Sequence, residues 1–267
     1  MSLYDIDGNE IQIGGSTGGS SQSELQRKFK DKNIIWLGDS IHAYATPDGV
    51  TVPYLFQYDS GAKCYNWAQG GMTMALMNNP SYDAYSGVGM IDALVSGDFT
   101  DQETYASDDH GTAQGNFLEQ VAEMKAFDMS KAHTFIIEFG TNDNWKLVGL
   151  DNETDLYDIT TTGGALRYMI KSLLTAYPKL NIAVCNIQGG INGTKNEGLE
   201  LVYTSEQRNE IIENVCDELN IPLIDIYNGL GENDYTKDTL FYGKPHLSHQ
   251  GKLKQVKLIE NRLVQLF

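Results

Sequence analysis

The chain has 267 residues, 41% of them apolar, and 19 Lys plus Arg against 36 Asp plus Glu give a formal net charge of −17. So acidic a chain repels phosphate backbones and anionic lipid head groups, and no Lys/Arg cluster forms a basic patch, which argues against binding of nucleic acid or a membrane surface. No apolar run approaches the roughly 20 residues of a membrane span, so insertion into a bilayer is not expected.

The N-terminal 30 residues are predicted to be an appendage to a domain that spans residues 31–267. Residues 4–13 have two short β-prone runs around an Asp-Gly-Asn turn, which predicts a hairpin, and residues 14–21 have the Gly/Ser composition of a flexible linker. The first seven residues have neither the basic nor the apolar region of a secretory signal, so we expect no signal peptide here and leave the compartment open.

From residue 33 onward, short apolar runs alternate with amphipathic helical patterns, which is typical of an α/β fold with a mainly parallel sheet. Five strands, enough for one doubly wound sheet, are predicted at Asn33 to Leu37, Lys63 to Ala68, Thr134 to Phe139, Asn181 to Ile187 and Pro222 to Ile226. The clearest helices are predicted at Asn116 to Phe127, Gly163 to Tyr177, Ser205 to Leu219 and Ser248 to Leu266. Residues 72–115 have weak periodicity, and we interpret them as an insertion over the ligand-binding end of the sheet.

The first predicted strand ends abruptly in Gly38-Asp39-Ser40. Ligands of parallel sheets bind at the carboxyl ends of the strands, so a serine there can act as a nucleophile. Gly38 permits the tight turn, and the start of the next helix would supply N–H donors for an oxyanion. Alone, the tripeptide is more often turn chemistry, with Ser40 as a helix N-cap.

Two further segments follow predicted strands at the same edge of the sheet. They are Gln69-Gly70-Gly71, after the second strand, and Gly140-Thr141-Asn142-Asp143, after the third. The Gly71 N–H and the Asn142 side-chain amide are neutral donors of the kind that hold an oxyanion. Taken singly, each segment is more simply a glycine turn or an Asx turn.

His246 lies in a loop just before the last predicted helix. A histidine at that point can reach back to a serine at the same end of the sheet and act as its general base. Considered alone, it would be an ordinary surface or capping histidine.

These four segments, in this order, resemble the SGNH hydrolases, also known as GDSL esterases and lipases, over residues 33–267. The resemblance implies a flavodoxin-like, three-layer α/β/α sandwich with a five-stranded parallel sheet. It also implies that Ser40 is the nucleophile and His246 the base, with an oxyanion hole made of the Ser40 N–H, Gly71 and Asn142. The histidine of that family is usually followed five residues later by glycine, and His246 with Gly251 fits this spacing.

One position departs from the pattern of this family. An aspartate usually lies three residues before the histidine and orients the imidazole, but here the residue is Gly243. Asp238 is a substitute a few residues upstream, and a backbone carbonyl that accepts the histidine Nδ1–H is another. Asp225 is a weaker candidate, because an acidic residue after a strand more often caps a loop.

The reaction that the resemblance implies is hydrolysis of a carboxylic ester through an acyl-serine, with no metal or organic cofactor. The expected substrate is a small-molecule or carbohydrate ester with short acyl (acetyl) groups, since the sequence pattern contains no long apolar lid helix. The alternative is a domain of this fold that has lost catalysis, as Gly243 suggests, and binds carbohydrate or protein. The oligomeric state is left open.

Other polar residues have structural interpretations. Asp39 and Asp143 are predicted to hold their loops through side-chain to backbone hydrogen bonds. His42 has no neighbouring residues with metal-site spacing, so it is not expected to be a ligand. Glu138 interrupts a buried strand, and the sequence alone offers no role for it.

Overall fold

The structure is a computed structural model that describes residues 22–46, 49–106, 117–189, 202–243 and 245–267. The hairpin and the Gly/Ser linker predicted for residues 4–21 lie outside these described residues. The first described helix lies within the predicted appendage, and its Phe29 side chain is fully buried in the core. The packed part of the chain therefore begins earlier than the change of pattern at Asn33.

A single parallel sheet lies at the centre of the described chain, and it confirms the predicted fold class. Its five strands are β1 Asn33–Gly38, β2 Lys63–Asn66, β3 Ala132–Glu138, β4 Asn181–Cys185 and β5 Leu223–Ile224. They lie in the order β2-β1-β3-β4-β5, the flavodoxin-like order, in which the strand order reverses between β1 and β3. Ligands of such sheets bind at this reversal, beyond the carboxyl ends of the strands.

Helices cover both faces of the sheet. Up to the middle of the chain they are α1 Glu24–Phe29, α2 Ser40–Ala43, α3 Val52–Ser60, α4 Pro80–Asp83, α5 Gly87–Ser96, α6 Thr100–Tyr105, α7 Phe117–Ala126 and α8 Thr141–Trp145. The rest are α9 Thr162–Ala176, α10 Ser205–Leu219, α11 Ile226–Gly229, α12 Lys237–Leu240 and α13 His249–Leu266. The capping box that starts α10, Thr204 with Gln207, is formed as its spacing indicates.

Two apolar cores lie on opposite faces of the sheet, because alternate residues of a strand point to opposite sides. Ile35 and Leu37 of β1 pack with α5, α7, α9 and α10, whereas Ile34 and Trp36 pack with α1, α3 and α13. This arrangement is the expected three-layer sandwich. In the part of the chain that the structure describes, no helix is long and apolar enough to cross a membrane.

The stretch predicted as an insertion, residues 72–115, contains helices instead of loops alone. Val88, Met90 and Ile91 of α5 are buried in the core, and α5 packs against α9. Two glycines in the first turn of α5, together with the turn-rich residues before it, obscured its helical period. The helix α3 also escaped prediction, because it is short and has a proline, Pro53, as its second residue.

A two-stranded antiparallel sheet precedes α13. Its strands are β6 Phe241–Gly243 and β7 His246–Leu247, with Gly243 opposite His246. Ser248 caps α13 by accepting a hydrogen bond from the Gly251 N–H at 3.1 Å. A Cβ on Gly251 would overlap the Leu240 carbonyl oxygen, so glycine is required for α13 to start so close to α12.

Candidate active site

Ser40 and His246 meet at the carboxyl end of β1, where the sequence analysis places a nucleophile and its base. His246 Nε2 lies 3.0 Å from Ser40 Oγ, although the two residues are 206 positions apart in the sequence. Ser40 is the first residue of α2, and the preceding Asp39 accepts a hydrogen bond from the Ile41 N–H at 3.0 Å. The serine hydroxyl is thus held within hydrogen-bond reach of a potential base.

The tight turn that presents Ser40 depends on Gly38, which pairs with Glu138 of the adjacent strand β3. A Cβ on Gly38 would lie 2.5 Å from the Glu138 carbonyl oxygen, and that oxygen also accepts the Asp39 N–H at 3.2 Å. Only glycine allows the backbones of β1 and β3 to approach so closely here. The loop after β1 and the loop after β3 are therefore side by side.

Gly71 lies on the loop after β2, Asn142 lies in the short helix α8, and hydrogen bonds join this loop to α8 and to the end of β1. Asn142 Nδ2 donates to the Met72 carbonyl at 2.9 Å, and the Gln69 N–H donates to the Gly38 carbonyl at 2.9 Å. Gly71 has a φ of 77°, in the left-handed region that favours glycine. An amide group has two N–H bonds, so Asn142 can hold Met72 and still donate to a substrate oxygen.

Asp143 of α8 also holds the segment that follows β2. Its carboxylate accepts the Met74 N–H at 2.9 Å and the Ala75 N–H at 3.3 Å. Asp39 and Asp143 thus both make the side-chain to backbone hydrogen bonds predicted from the sequence.

The His246 imidazole lies in a setting that favours its neutral form. Burial lowers its pKa from the ordinary value, and the positive charge of Lys252 lowers it further. The Lys252 side chain is itself buried and donates to the backbone carbonyls of Tyr44 and Val50. The charge that acts on this imidazole is thus a cation, whereas the histidine of a Ser-His-Asp triad pairs with an anion.

Asp238, the predicted substitute for the missing carboxylate, is exposed on the short helix α12. Among the described residues, no hydrogen bond or ion pair joins it to His246. Asp225 caps α11, where it accepts the Asn228 N–H at 3.0 Å and an amide N–H of Asn186 at 3.0 Å. The structure therefore brings neither aspartate into hydrogen-bond contact with the imidazole.

Comparisons with known proteins agree with this geometry. The profile of the GDSL-like Lipase/Acylhydrolase family matches residues 36–253, which include Ser40, Gly71, Asn142 and His246. The chain belongs to the GDSL-like lipase/acylhydrolase family. Members of this family hydrolyse esters, and this chain is accordingly an ester hydrolase. No curated protein matches its sequence.

Solved structures share the fold of this GDSL-like hydrolase at low sequence identity. A protein from Lactobacillus plantarum has a TM-score of 0.64 at 17% identity, over 89% of this chain and 99% of its own. A lipase/acylhydrolase from Enterococcus faecalis has a TM-score of 0.52 at 16% identity, over 88% of this chain and 96% of its own. A member of the lipolytic G-D-S-L family from Veillonella parvula has a TM-score of 0.52 at 18% identity, over 86% and 97% of the two chains.

Two tyrosines that the sequence analysis did not single out line the site of this GDSL-like hydrolase. The Tyr44 ring lies 5.5 Å from the His246 ring, and the Tyr242 ring lies 6.1 Å from it in a stacked arrangement. A Cβ on Gly70 would overlap the Tyr44 hydroxyl, so this side chain reaches from the base to the Gly70-Gly71 loop. The Gly-Gly pair was the available signal, because it indicates that something approaches the backbone closely.

Several carboxyl groups are buried beneath the site. The pKa of Asp39 is raised to about 8, mainly by burial, and the negative charges of Glu138 and Asp143 contribute to this rise. Burial also raises the pKa of Asp143, against the effect of the nearby Arg208 cation. The described residues contain no group of three or more His, Cys, Asp or Glu side chains placed to hold a metal ion.

Proposed function

We propose that this protein is a serine esterase that hydrolyses short acyl esters, acetyl groups on carbohydrate in particular, through a Ser40–His246 dyad. The observation that supports the dyad is the 3.0 Å contact between His246 Nε2 and Ser40 Oγ. Ser40 is 5% exposed and His246 is half-buried, so the pair is screened from bulk water while remaining open to a substrate.

The reaction has two steps. Ser40 Oγ attacks the ester carbonyl carbon while His246 Nε2 takes the hydroxyl proton, and this proton passes to the leaving alcohol oxygen as the C–O bond breaks. A water molecule then attacks the acyl-serine, gives its proton to His246, and releases the acid as the proton returns to Ser40 Oγ. The Ser40 and Gly71 N–H groups and the Asn142 amide would hold the oxyanion of both intermediates.

The lining of the site supports short acyl groups and a ring-shaped alcohol. Tyr44 fills the space between His246 and the Gly70-Gly71 loop, which leaves little room for a long acyl chain there. Tyr242 is 50% exposed beside His246, so one aromatic face is free to stack on a sugar ring next to the leaving oxygen.

The test is hydrolysis of 4-nitrophenyl esters from acetate to octanoate, together with acetate release from acetylated xylan. We expect wild type to prefer acetate and to release acetate from the polysaccharide, and Ser40→Ala to lose about 10³-fold or more in kcat. A higher kcat/KM for the octanoate than for the acetate would contradict the proposed preference for short acyl groups. Hydrolysis of 4-nitrophenyl acetate without release of acetate from the polysaccharide would contradict the proposed carbohydrate substrate.

The alternative is a domain of this fold that binds carbohydrate or protein without catalysis. It is motivated by Gly243 and by the lack, among the described residues, of a carboxylate paired with His246. Equal rates of wild type and Ser40→Ala on every ester would favour this alternative and overturn the proposed dyad.

A further inference from the structure

Glu138, the residue without an explanation in the sequence, lies at the centre of a buried polar cluster with His42 and Gln255. His42 Nε2 lies 2.7 Å from Glu138 Oε2. Gln255 Nε2 donates to both carboxylate oxygens of Glu138, at 3.0 and 2.8 Å. All three side chains are at most 1% exposed. We refer to these three residues as the Glu138 cluster.

Each member of the cluster lies on a different element of the proposed site. His42 is on α2, two residues after Ser40, and Glu138 is the last residue of β3, four residues before Asn142. Gln255 is on α13, the helix that follows His246. The cluster therefore joins the elements that contain the nucleophile, an oxyanion donor and the base.

We propose that Glu138 is a positioning residue, which sets the relative placement of α2, the loop after β3 and α13 and hence the alignment of Ser40 with His246. This inference rests on the proposed function, since it concerns the same dyad. Glu138 does not touch the reacting atoms. Its effect reaches Ser40 through His42 and reaches His246 through Gln255.

Stability alone is a poor explanation for such a cluster. Removing a carboxylate from water is costly, and replacing a buried ion pair by apolar residues of similar volume is often neutral or stabilising. Glu138 follows the apolar run Phe135 to Ile137, which is fully buried, so an apolar residue would suit this strand equally well. Geometry is the stronger explanation, because a displacement of about 1 Å at a reacting centre can cost about 10²-fold in rate.

A matched control lies on the opposite face of the sheet. Arg167 on α9 is 5% exposed, and it donates to Glu218 at 2.7 Å and to Asp151 at 2.9 Å. It joins elements as the Glu138 cluster does, but α9 packs in the other core. Its loss should lower stability without moving Ser40 relative to His246.

The experiment compares wild type with Glu138→Gln, Glu138→Leu, Gln255→Leu and the control Arg167→Met. Tm is measured first, and kcat and KM for 4-nitrophenyl acetate are then measured well below the lowest Tm. We expect kcat to fall about tenfold in Glu138→Gln, which keeps an acceptor for the cluster, and about 10²-fold in Glu138→Leu, with little change in KM. Gln255→Leu should lower kcat as well. Arg167→Met should lower Tm and leave kcat unchanged.

If the Glu138 and Gln255 variants keep the wild-type kcat, or lose no more than Arg167→Met, the positioning role is overturned while the esterase proposal stands. If Glu138→Leu does not fold, Glu138→Gln and Gln255→Leu decide the question by the same comparison. Equal rates of wild type and Ser40→Ala would overturn both proposals.

Discussion

The imidazole of His246, the proposed general base, has an unusual electrostatic environment for that role. Burial and the Lys252 ammonium both lower its pKa, and among the described residues no carboxylate pairs with it to counter this effect. The neutral imidazole, the form that would accept the Ser40 proton, therefore persists to lower pH than in a free histidine. His246 Nε2 lies 3.0 Å from Ser40 Oγ, but the proton affinity of the imidazole is reduced.

The acidic limb of the pH profile of kcat/KM measures the proton affinity of the His246 imidazole. We expect kcat/KM for an uncharged ester to fall below a midpoint lower than 6.5, the ordinary histidine value. Lys252→Met removes the neighbouring cation and should move the midpoint to higher pH, whatever its effect on kcat. The matched control is Lys257→Met on the same helix, where Lys257 pairs with Asp59 and Glu260 instead, so the midpoint should not move. An unchanged midpoint in Lys252→Met would contradict the conclusion that the Lys252 charge lowers the pKa of His246.

Asp39 should make stability depend on pH. Its pKa is raised from 3.8 to about 8, so the folded state holds a proton that the unfolded chain releases between these values. Stability from this group is therefore present at low pH and is lost as pH rises toward 8. Asp39→Asn removes the titration and retains an N-cap side chain.

The Tm of Asp39→Asn minus the Tm of wild type should thus be more positive at pH 9 than at pH 5. Asp98→Asn is the control, because Asp98 is exposed and its pKa is lowered by hydrogen bonds from Thr100. A difference for Asp39→Asn that stays constant across this range would rule out a buried, proton-holding carboxyl.

At the scale of elements, the hairpin β6–β7 determines how His246 is presented. Gly243 lies opposite His246, at the position where the family usually has an aspartate. A Cβ at Gly243 would meet no atom within 4 Å, so a side chain can be introduced there without a clash.

Gly243→Asp should therefore restore an orienting carboxylate. We expect kcat to rise about tenfold or more and the acidic limb to move to higher pH, because an anion beside the imidazole favours its protonated form. Gly243→Asn introduces a side chain of the same size without the charge, so it should leave the midpoint of the acidic limb unchanged. Unchanged kcat and pH profile in Gly243→Asp would mean that another group already orients His246.

The elements that position the site were largely predictable from the sequence. β1 and β3 each contain a short apolar run, and Gly-Asp-Ser and Gly-Thr-Asn follow soon after these runs, so both the strands and their predicted functional ends could be located. The helices α3 and α5 were not predicted, because a proline or glycines at their starts obscure the helical period. Burial, not propensity, stabilises α5 in the core.

The Glu138 cluster could not have been predicted. Glu138 and Gln255 are 117 positions apart, and a single glutamate at the end of a strand does not indicate which side chains surround it. Tyr44 was missed for the same reason, since its contact with Gly70 and its contact with His246 are both tertiary. Motif spacing thus locates the reacting residues but not the residues that position or surround them.

At the scale of the whole molecule, the proposed active site lies where the strand order of the sheet reverses. β1 and β3 are adjacent at that point, so Ser40 and Asn142 follow neighbouring strands, and α13 brings His246 to the same end. The net charge of −17 gives the molecule an overall negative potential, so uncharged esters should approach it more readily than anionic ones.

The most direct test of the Ser40–His246 dyad is labelling with a fluorophosphonate, which forms a phosphonyl-serine with loss of fluoride only where a serine is activated. Intact mass and peptide mapping would be compared for wild type, Ser40→Ala and His246→Ala. We predict one phosphonyl group on Ser40 in wild type, none in Ser40→Ala, and labelling slowed by about 10²-fold or more in His246→Ala. A label on another residue, or ester hydrolysis by wild type with Ser40 unlabelled, would contradict the assignment of Ser40 as the nucleophile.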